Sequence, residues 1–275
     1  MKGVDVYEVQ KQKNIVRRGG ILMDTMEQRR NTIVDLVNQS GNVSFAQLKK
    51  KFPQISEMTL RTDLKVLDEA KRIVRVHGGA KSVDVVVGTD DMLSRRQVRN
   101  IEAKQMITQK ALAFIRKDTT LFLDSGSTTT MLASCIPDQS NLIYTNSLTC
   151  AAELGRLAQP SIHLLGGKMN RYSMSVCGIH TVQEVQRINF DQVFMGVTSY
   201  CETSGFCCGV DEEAVLKKTV LRQAEQRILL MDSSKVGVKS TYSFCGFGDV
   251  DIVISDDNLL EEFCEECRRH GVQVI

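Results

Sequence analysis

The chain has 275 residues, 42% of them hydrophobic and 25% charged, with a formal net charge of +2. That length accommodates a small domain beside a larger one, and the balance is ordinary for a water-soluble globular fold. No apolar run approaches the roughly 20 residues of a membrane span, no apolar leader opens the chain, and the nine cysteines follow no disulfide pattern, so reduced thiols in the cytoplasm are expected.

Residues 1–25 are polar and lack a clear period. They read either as a flexible arm or as a start assigned too early, because Met23 and Met26 stand just ahead of the first predicted helix. That helix carries Ile33, Leu36 and Val37, and Gly41-Asn42 breaks it. Ser44 then caps a short second helix bearing Phe45, Leu48 and Phe52, which Pro53 ends. Ser56 caps a third, on which Leu60, Leu64 and Leu67 recur at i, i+4 and i+7. Arg61, Thr62 and Lys65 fall off that stripe and face outward. Arg72 to His77 alternates and Gly78-Gly79 closes it, as in a small ribbon with one basic face. The third helix alone would suit a solvated charged face. With the elements around it, residues 26–81 make a winged helix-turn-helix, whose third helix enters the major groove. Arg61, Thr62 and Lys65 are then expected on bases or phosphates, and Arg75 and His77 on the DNA backbone.

Charge favours the same reading. Residues 26–81 carry 11 Lys and Arg against 6 Asp and Glu, whereas residues 82–275 carry 19 against 24. A basic head gains affinity for phosphates through counterion release, and an acidic body stays off the duplex.

Residues 82–95 read as a linker running into one helix from near Leu93 to Arg116. Across residues 96–275, apolar runs end in small or polar residues, with helical segments between some of them. Leu121-Phe122-Leu123 precedes Asp124, Val193-Phe194-Met195 precedes Gly196, and Ile228 to Met231 precedes Asp232. Such runs suit a Rossmann-like α/β domain with a mostly parallel sheet covered on both faces. Ligands of such sheets bind outside the carboxyl ends of the strands.

Asp124-Ser125-Gly126-Ser127-Thr128-Thr129 is the sharpest of these ends. Its hydroxyls either cap the next helix or, with free amides, seat a phosphate. Asp124 suits sugar hydroxyls better than a phosphate. Asp232 and Lys235 reach the same rim, and Lys235 can neutralise an anion. Glu213 and Lys217 stand at i, i+4, the ordinary spacing of a solvated ion pair. Cys264, Cys267 and His270 lack an obvious fourth ligand, so no metal is expected. Nothing near Cys207-Cys208 clearly activates a thiol, and His163, inside an apolar run, reads as a hydrogen-bonded core residue.

The run Ser56-Glu57-Met58-Thr59-Leu60-Arg61-Thr62-Asp63-Leu64, with Arg75 to Ala80, resembles the DNA-binding signature of the DeoR family of bacterial sugar-catabolism regulators. Thr62 stands where that family commonly has a second arginine. The order of Asp124 to Thr129, Thr145-Asn146-Ser147, Leu164 to Gly167, Gly178, Asp191, Glu213 with Lys217, and Asp232 to Lys235 is similar to the family's effector domain, so the resemblance covers residues 26–256. It implies a body similar to ribose-5-phosphate isomerases, with a phosphorylated sugar or derivative as effector. The residues expected on DNA are Ser44, Ser56, Glu57, Thr59, Arg61, Thr62, Lys65, Arg75 and His77. Those expected around the effector are Asp124, Ser125, Gly126, Ser127, Thr128, Thr129, Asn146, Gly166, Gly167, Glu213, Lys217, Asp232 and Lys235.

The expectation is therefore a cytoplasmic, sequence-specific regulator, a repressor of a carbohydrate catabolism operon. It would act on double-stranded operator DNA as a homo-oligomer, dimer or tetramer, without cofactor, metal or membrane. The alternative is a sugar-phosphate isomerase with an appended head, using Asp124 or Glu213 as base and Lys235 as electrostatic stabiliser. The basic head counts against it.

Overall fold

The computed structural model describes residues 26–40, 42–76, 78–82 and 92–275. Residues 1–25, Gly41, His77 and residues 83–91 of the expected linker lie outside the described residues.

The head runs α1 (Met26–Ser40), β1 (Asn42–Ser44), α2 (Phe45–Lys51), α3 (Glu57–Glu69), β2 (Val74–Val76) and β3 (Gly79–Lys81). Leu60, Leu64 and Leu67 are buried against Ile33, Val37, Leu48 and Ile73, so the apolar stripe of α3 faces the head's core. Ser44 Oγ accepts from the Gln47 amide at 3.2 Å while Gln47 Oε1 accepts from the Ser44 amide at 2.8 Å, a reciprocal capping box. Ser56 Oγ accepts from the Thr59 amide at 3.1 Å. Lys49 Nζ donates to the carbonyls of Pro53 at 3.1 Å and Ile55 at 2.7 Å, tying down the turn between α2 and α3.

Strand β1 was read from the sequence only as a break. It pairs antiparallel with β3, giving the head a three-stranded sheet ordered β1-β3-β2. Gly79 permits that pairing: a Cβ there would lie 2.2 Å from the Val43 carbonyl oxygen.

The body runs α4 (Leu93–Gln97), α5 (Ile101–Leu112), β4 (Thr120–Leu123), α6 (Ser127–Cys135), β5 (Leu142–Thr145), α7 (Leu148–Leu154), β6 (Ser161–Leu164), β7 (Lys168–Asn170), β8 (Ser175–Cys177), α8 (Ile179–Val185), β9 (Phe190–Gly196), β10 (Ser199–Cys201), β11 (Gly205–Cys208), α9 (Asp211–Arg222), β12 (Ala224–Leu230), β13 (Tyr242–Cys245), β14 (Ile252–Ile254), α10 (Glu261–Arg269) and β15 (Gln273–Val274). One helix was expected from Leu93 to Arg116. It is instead two, because Asn100 takes a left-handed conformation with φ 50°. The Lys104 ammonium then reaches back to the carbonyls of Arg96 and Arg99 and satisfies the end of the first piece.

Seven parallel strands form the main sheet, ordered β15-β14-β12-β9-β4-β5-β6. Side chains alternate between its faces. Phe122, Val193, Met195, Leu229 and Val253 enter one core, with Val185 of α8, Val220 of α9 and Phe263 of α10. Leu121, Leu123, Phe194, Ile228 and Ile254 enter the other, with Ile107 of α5, Leu132 of α6 and Leu154 of α7. The exception is β6, the last strand, three of whose four residues are exposed. His163 on it is exposed too and stacks on Tyr144 at 4.6 Å, so it is not a core residue as expected. No strand pairs with its outer edge among the described residues.

The head is fastened internally by one buried carboxylate. Asp63, 1% exposed, accepts from Arg29 Nε at 2.6 Å and Arg30 Nε at 2.8 Å, joining α3 to α1. Removing one partner of a buried ion pair costs about 3–5 kcal/mol. Asp63→Ala is therefore expected to lower the head's unfolding midpoint in urea, followed by amide hydrogen exchange, while the body's midpoint stays unchanged.

Candidate functional site

The chain leaves β4 toward β5 and β6 on one side of the sheet, then returns to place β9 on the other. The switch point lies between β4 and β9, where open α/β sheets bind ligands. A cleft opens there. Ser125 to Thr129 follow β4, Gly196 ends β9 with Val197 and Thr198 after it, and Met231, Asp232 and Lys235 follow β12. Glu213 and Lys217 enter from α9, Arg96 from α4, Lys104 from α5, and Arg99 and Asn100 from the turn between those two helices.

The floor is an ion pair. Asp124 and Lys217 are 1% and 5% exposed, and the Lys217 ammonium donates to Asp124 Oδ2. The same ammonium donates to the Gly196 carbonyl at 2.9 Å, and Asp124 Oδ2 accepts the Gly196 amide at 3.0 Å. Burial pushes the Lys217 pKa down, but the Asp124 carboxylate outweighs it and holds the pKa above the usual lysine value. Beside this pair, Glu213 Oε1 accepts from Ser173 Oγ at 2.8 Å and Ser175 Oγ at 2.9 Å.

One wall is the start of α6. Gly126 precedes it with φ +153°, a conformation that side-chain-bearing residues rarely adopt. Thr129 and Thr130 turn their hydroxyls back to the Gly126 carbonyl at 3.0 and 2.6 Å. Ser125, Ser127 and Thr128 are partly exposed, and their hydroxyls have no partner among the described residues. No side chain caps this helix start, so its first amides are open to a ligand.

The rim is cationic: Arg96, Arg99, Lys104 and Lys235 stand around the cleft. Lys104 is 4% exposed. Burial lowers its pKa, Asp232 works against that, and Lys235, Arg96 and Arg99 lower it further. Asp232 accepts from Asn100 Nδ2 at 3.0 Å. An anion with hydroxyl groups fits this arrangement, the charge toward the rim and the α6 amides, the hydroxyls toward Asp232 and Glu213.

Of the residues expected around an effector, Ser125 to Thr129, Glu213, Lys217, Asp232 and Lys235 line the cleft. Asp124 lies beneath it, occupied by Lys217. Asn146 is buried away from the lining, its Oδ1 without a partner among the described residues. Gly166 and Gly167 do not line it either; they pack near Thr181, whose hydroxyl donates to the Gly166 carbonyl at 2.7 Å. Arg96, Arg99, Asn100 and Lys104 were missed, because a basic stretch near a linker carries no periodic signal of a site. Among the described residues no group of three or more His, Cys, Asp or Glu is arranged to hold a metal ion. Cys267 is core, and His270 stacks on Phe247 at 5.1 Å.

On the head, Glu57, Met58, Arg61, Thr62 and Lys65 lie exposed on one face of α3. The Arg61 guanidinium sits over the Phe45 ring at 4.4 Å, which preorients it beside α2. Glu57 pairs loosely with Arg61, and Glu69 with Lys65, each at 3.8 Å. Thr59 Oγ1 lies 2.8 Å from Ser56 Oγ, so Ser44, Ser56 and Thr59 serve the two helix starts. Arg75 is exposed on the wing, and its amide donates to Asp68 Oδ1 at 3.0 Å. Met58, 74% exposed, is an apolar group among these polar ones that sequence reasoning overlooked. Among the described residues no helix is long and apolar enough to cross a membrane.

The family model of the DeoR-like helix-turn-helix domain matches residues 29–86, and that of the DeoR C terminal sensor domain matches residues 99–257. The HTH-type transcriptional regulator GlpR of Haloferax volcanii is 30% identical over 249 residues, 90% of this chain and 96% of that protein. The lactose phosphotransferase system repressor of Streptococcus mutans is 30% identical over 236 residues, 84% of this chain and 92% of that one. Among solved structures, ribose 5-phosphate isomerase A from Methanocaldococcus jannaschii is 16% identical with a TM-score of 0.37, covering 50% of this chain and 55% of that one. With its head and its body each matched, the chain belongs to the DeoR family of helix-turn-helix transcriptional regulators.

Proposed function

We propose that this regulator binds operator DNA through α3 and the wing, as a repressor of genes for carbohydrate use, and that a phosphorylated sugar or sugar derivative in the body's cleft controls it. The observation that carries the effector is the cationic rim of Arg96, Arg99, Lys104 and Lys235 beside the uncapped start of α6, at the sheet's switch point. A phosphate dianion answers that charge, and a sugar's hydroxyls answer Asp232 and Glu213. The name of the relative that is a lactose phosphotransferase system repressor agrees with a carbohydrate link. One small head buries little DNA surface, so paired heads in a dimer or tetramer are part of the proposal. Action on operator DNA in the cytoplasm is part of the proposal.

The isomerase reading is weaker. Both candidate bases are committed, Asp124 to Lys217 and Glu213 to two serines. A turnover assay with aldose and ketose phosphates tests it directly, and measurable isomerisation would make the chain an enzyme as well.

On DNA, Arg61→Ala is expected to cost about 1–3 kcal/mol of operator affinity and relax sequence preference, whereas Lys65→Ala weakens all sequences and lowers the salt slope by about 1. Titration of a labelled duplex from upstream of the gene, at two salt concentrations, separates the two. Equal effects of both changes on unrelated DNA would remove Arg61 from base readout.

In the cleft, Lys235→Ala is expected to weaken sugar-phosphate binding roughly 10- to 150-fold, the worth of a charge-assisted hydrogen bond. Affinity should also depend on pH through Lys104. Its pKa lies below the usual lysine value in the free protein, and a bound anion raises it, so between the two pKa values binding takes up a proton. Affinity is then highest below the free-protein pKa and falls as pH rises through it. Lys104→Gln is expected to abolish that alkaline fall in calorimetry, and an unchanged profile would take Lys104 out of the anion site.

A further inference from the structure

We infer that the β7–β8 hairpin couples the cleft to the DNA-binding head, with Tyr172 as the positioning residue through which an occupied cleft changes the head's seat. This rests on the effector reading of the cleft given above.

Three observations converge on the hairpin's tip, Arg171 to Met174. Toward the body, Ser173 and Ser175 are 3% and 0% exposed and both donate to the Glu213 carboxylate, which lines the cleft. Toward the head, Tyr172 is buried with Val74 of the wing and with Met92. Arg171 lies over the Tyr172 ring at 4.9 Å and reaches Asp68 Oδ1 at 3.2 Å. Asp68 is in the last turn of α3, and the same oxygen accepts the amide of Arg75 on the wing. A few residues of one turn therefore touch a cleft residue, the end of the recognition helix and the wing.

A second route enters the same residue through its backbone. The Leu93 amide donates to the Tyr172 carbonyl at 3.1 Å, and Leu93 begins α4, whose far end supplies Arg96 to the rim, with Arg99 just beyond it. An anion drawn in by those arginines pulls on α4 from one end while Tyr172 holds the other. A sugar hydroxyl donating to Glu213 competes with Ser173 and Ser175 for the carboxylate. Both events loosen the turn that holds Tyr172 against Val74. A ligand changes DNA affinity only by binding two head arrangements unequally, and this turn distinguishes them.

The test has two arms on the full chain. In the first, without ligand or DNA, amide exchange is measured at Arg75 and across 171–176. Glu213→Gln weakens the acceptor for both serines and is expected to speed exchange at Arg75 by about threefold or more. That effect should vanish when Tyr172→Ala is added. In the second, duplex from upstream of the gene is titrated with and without ribose 5-phosphate, fructose 1-phosphate, glucose 6-phosphate or inorganic phosphate. Tyr172→Ala is expected to bind the sugar phosphate within about threefold of the unmodified chain, yet to lose most of a ligand effect on DNA binding that is typically about 5- to 150-fold. Arg171→Ala, on an exposed side chain that folding tolerates, reduces the effect partly, and Tyr172→Phe, which keeps the packing, retains it. A full ligand effect in Tyr172→Ala, or Arg75 exchange indifferent to Glu213→Gln, overturns the coupling. If no probe shifts DNA binding by the unmodified chain, the effector reading falls, and the exchange arm decides the hairpin's role by itself.

Discussion

A lysine or an aspartate taken out of water costs several kcal/mol unless it meets an opposite charge and fills its remaining hydrogen bonds. Lys217 and Asp124 meet both conditions at one point, where β4, β9 and α9 come together over the switch in the sheet. The pair cancels its own charge and so cannot itself attract an anion. It leaves Arg96, Arg99, Lys104 and Lys235 to set the sign of the field in the cleft. It also fixes Gly196 by both its amide and its carbonyl, and Gly196 forms part of the cleft's lining. The shape of the site therefore depends on a contact that a bound ligand would not need to touch.

The head solves a different problem with the same chemistry. Its α3 shows cations on one face and apolar groups to a small core on the other. A core this small holds few side chains, and Asp63 adds a fixed clasp by binding two arginines of α1 from the buried side of α3. That clasp holds Arg29 and Arg30 on the buried side of α3 and neutralises one of their two charges. The cations left on the exposed face of α3 are Arg61 and Lys65, with Arg75 on the wing. Glu57 and Glu69 shield the first two only weakly, since exposed pairs at this spacing contribute about 0.3–0.5 kcal/mol and yield to phosphate.

Much of this was legible because it is periodic. Leu60, Leu64 and Leu67 mark the buried stripe of α3, and the runs at Leu121, Val193 and Ile228 mark strands covered on both faces. The loop after β4 was legible because a strand, a glycine and hydroxyls follow one another directly. What failed depends on partners far away in the sequence. Gly166, Gly167 and Asn146 follow strand ends, yet β5 and β6 lie on the outer side of β4, away from the switch, so those ends do not line the cleft. Arg96, Arg99 and Lys104 enter it only because Asn100 bends the chain, a left-handed turn that neither propensity nor pattern announces. His163 misled because an apolar run was taken for a buried strand, and an edge strand has nothing to cover its outer side.

Strength decides whether the contact between hairpin and head can act as a switch. Burying one large side chain contributes about 1.5–3 kcal/mol, and an exposed ion pair such as Arg171 with Asp68 about 0–1 kcal/mol. The contact at Tyr172 is thus worth a few kcal/mol, close to the roughly 1–3 kcal/mol by which one ligand usually biases another site. A much larger interface would hold the head in one arrangement whatever the cleft contained. A much smaller one would leave the head's position independent of the cleft, and ligand binding would have nothing to change. Val74, Met92 and Tyr172 lie between these limits, with Val76 only partly buried beside them. The packing of Val74, Met92 and the Tyr172 ring responds little to ionic strength, whereas salt screens the exposed pair of Arg171 with Asp68. Affinity that rests on cations meeting DNA phosphates is strongly salt-dependent. A change in ionic strength therefore moves the affinity strongly and reaches the coupling only through its one exposed ion pair.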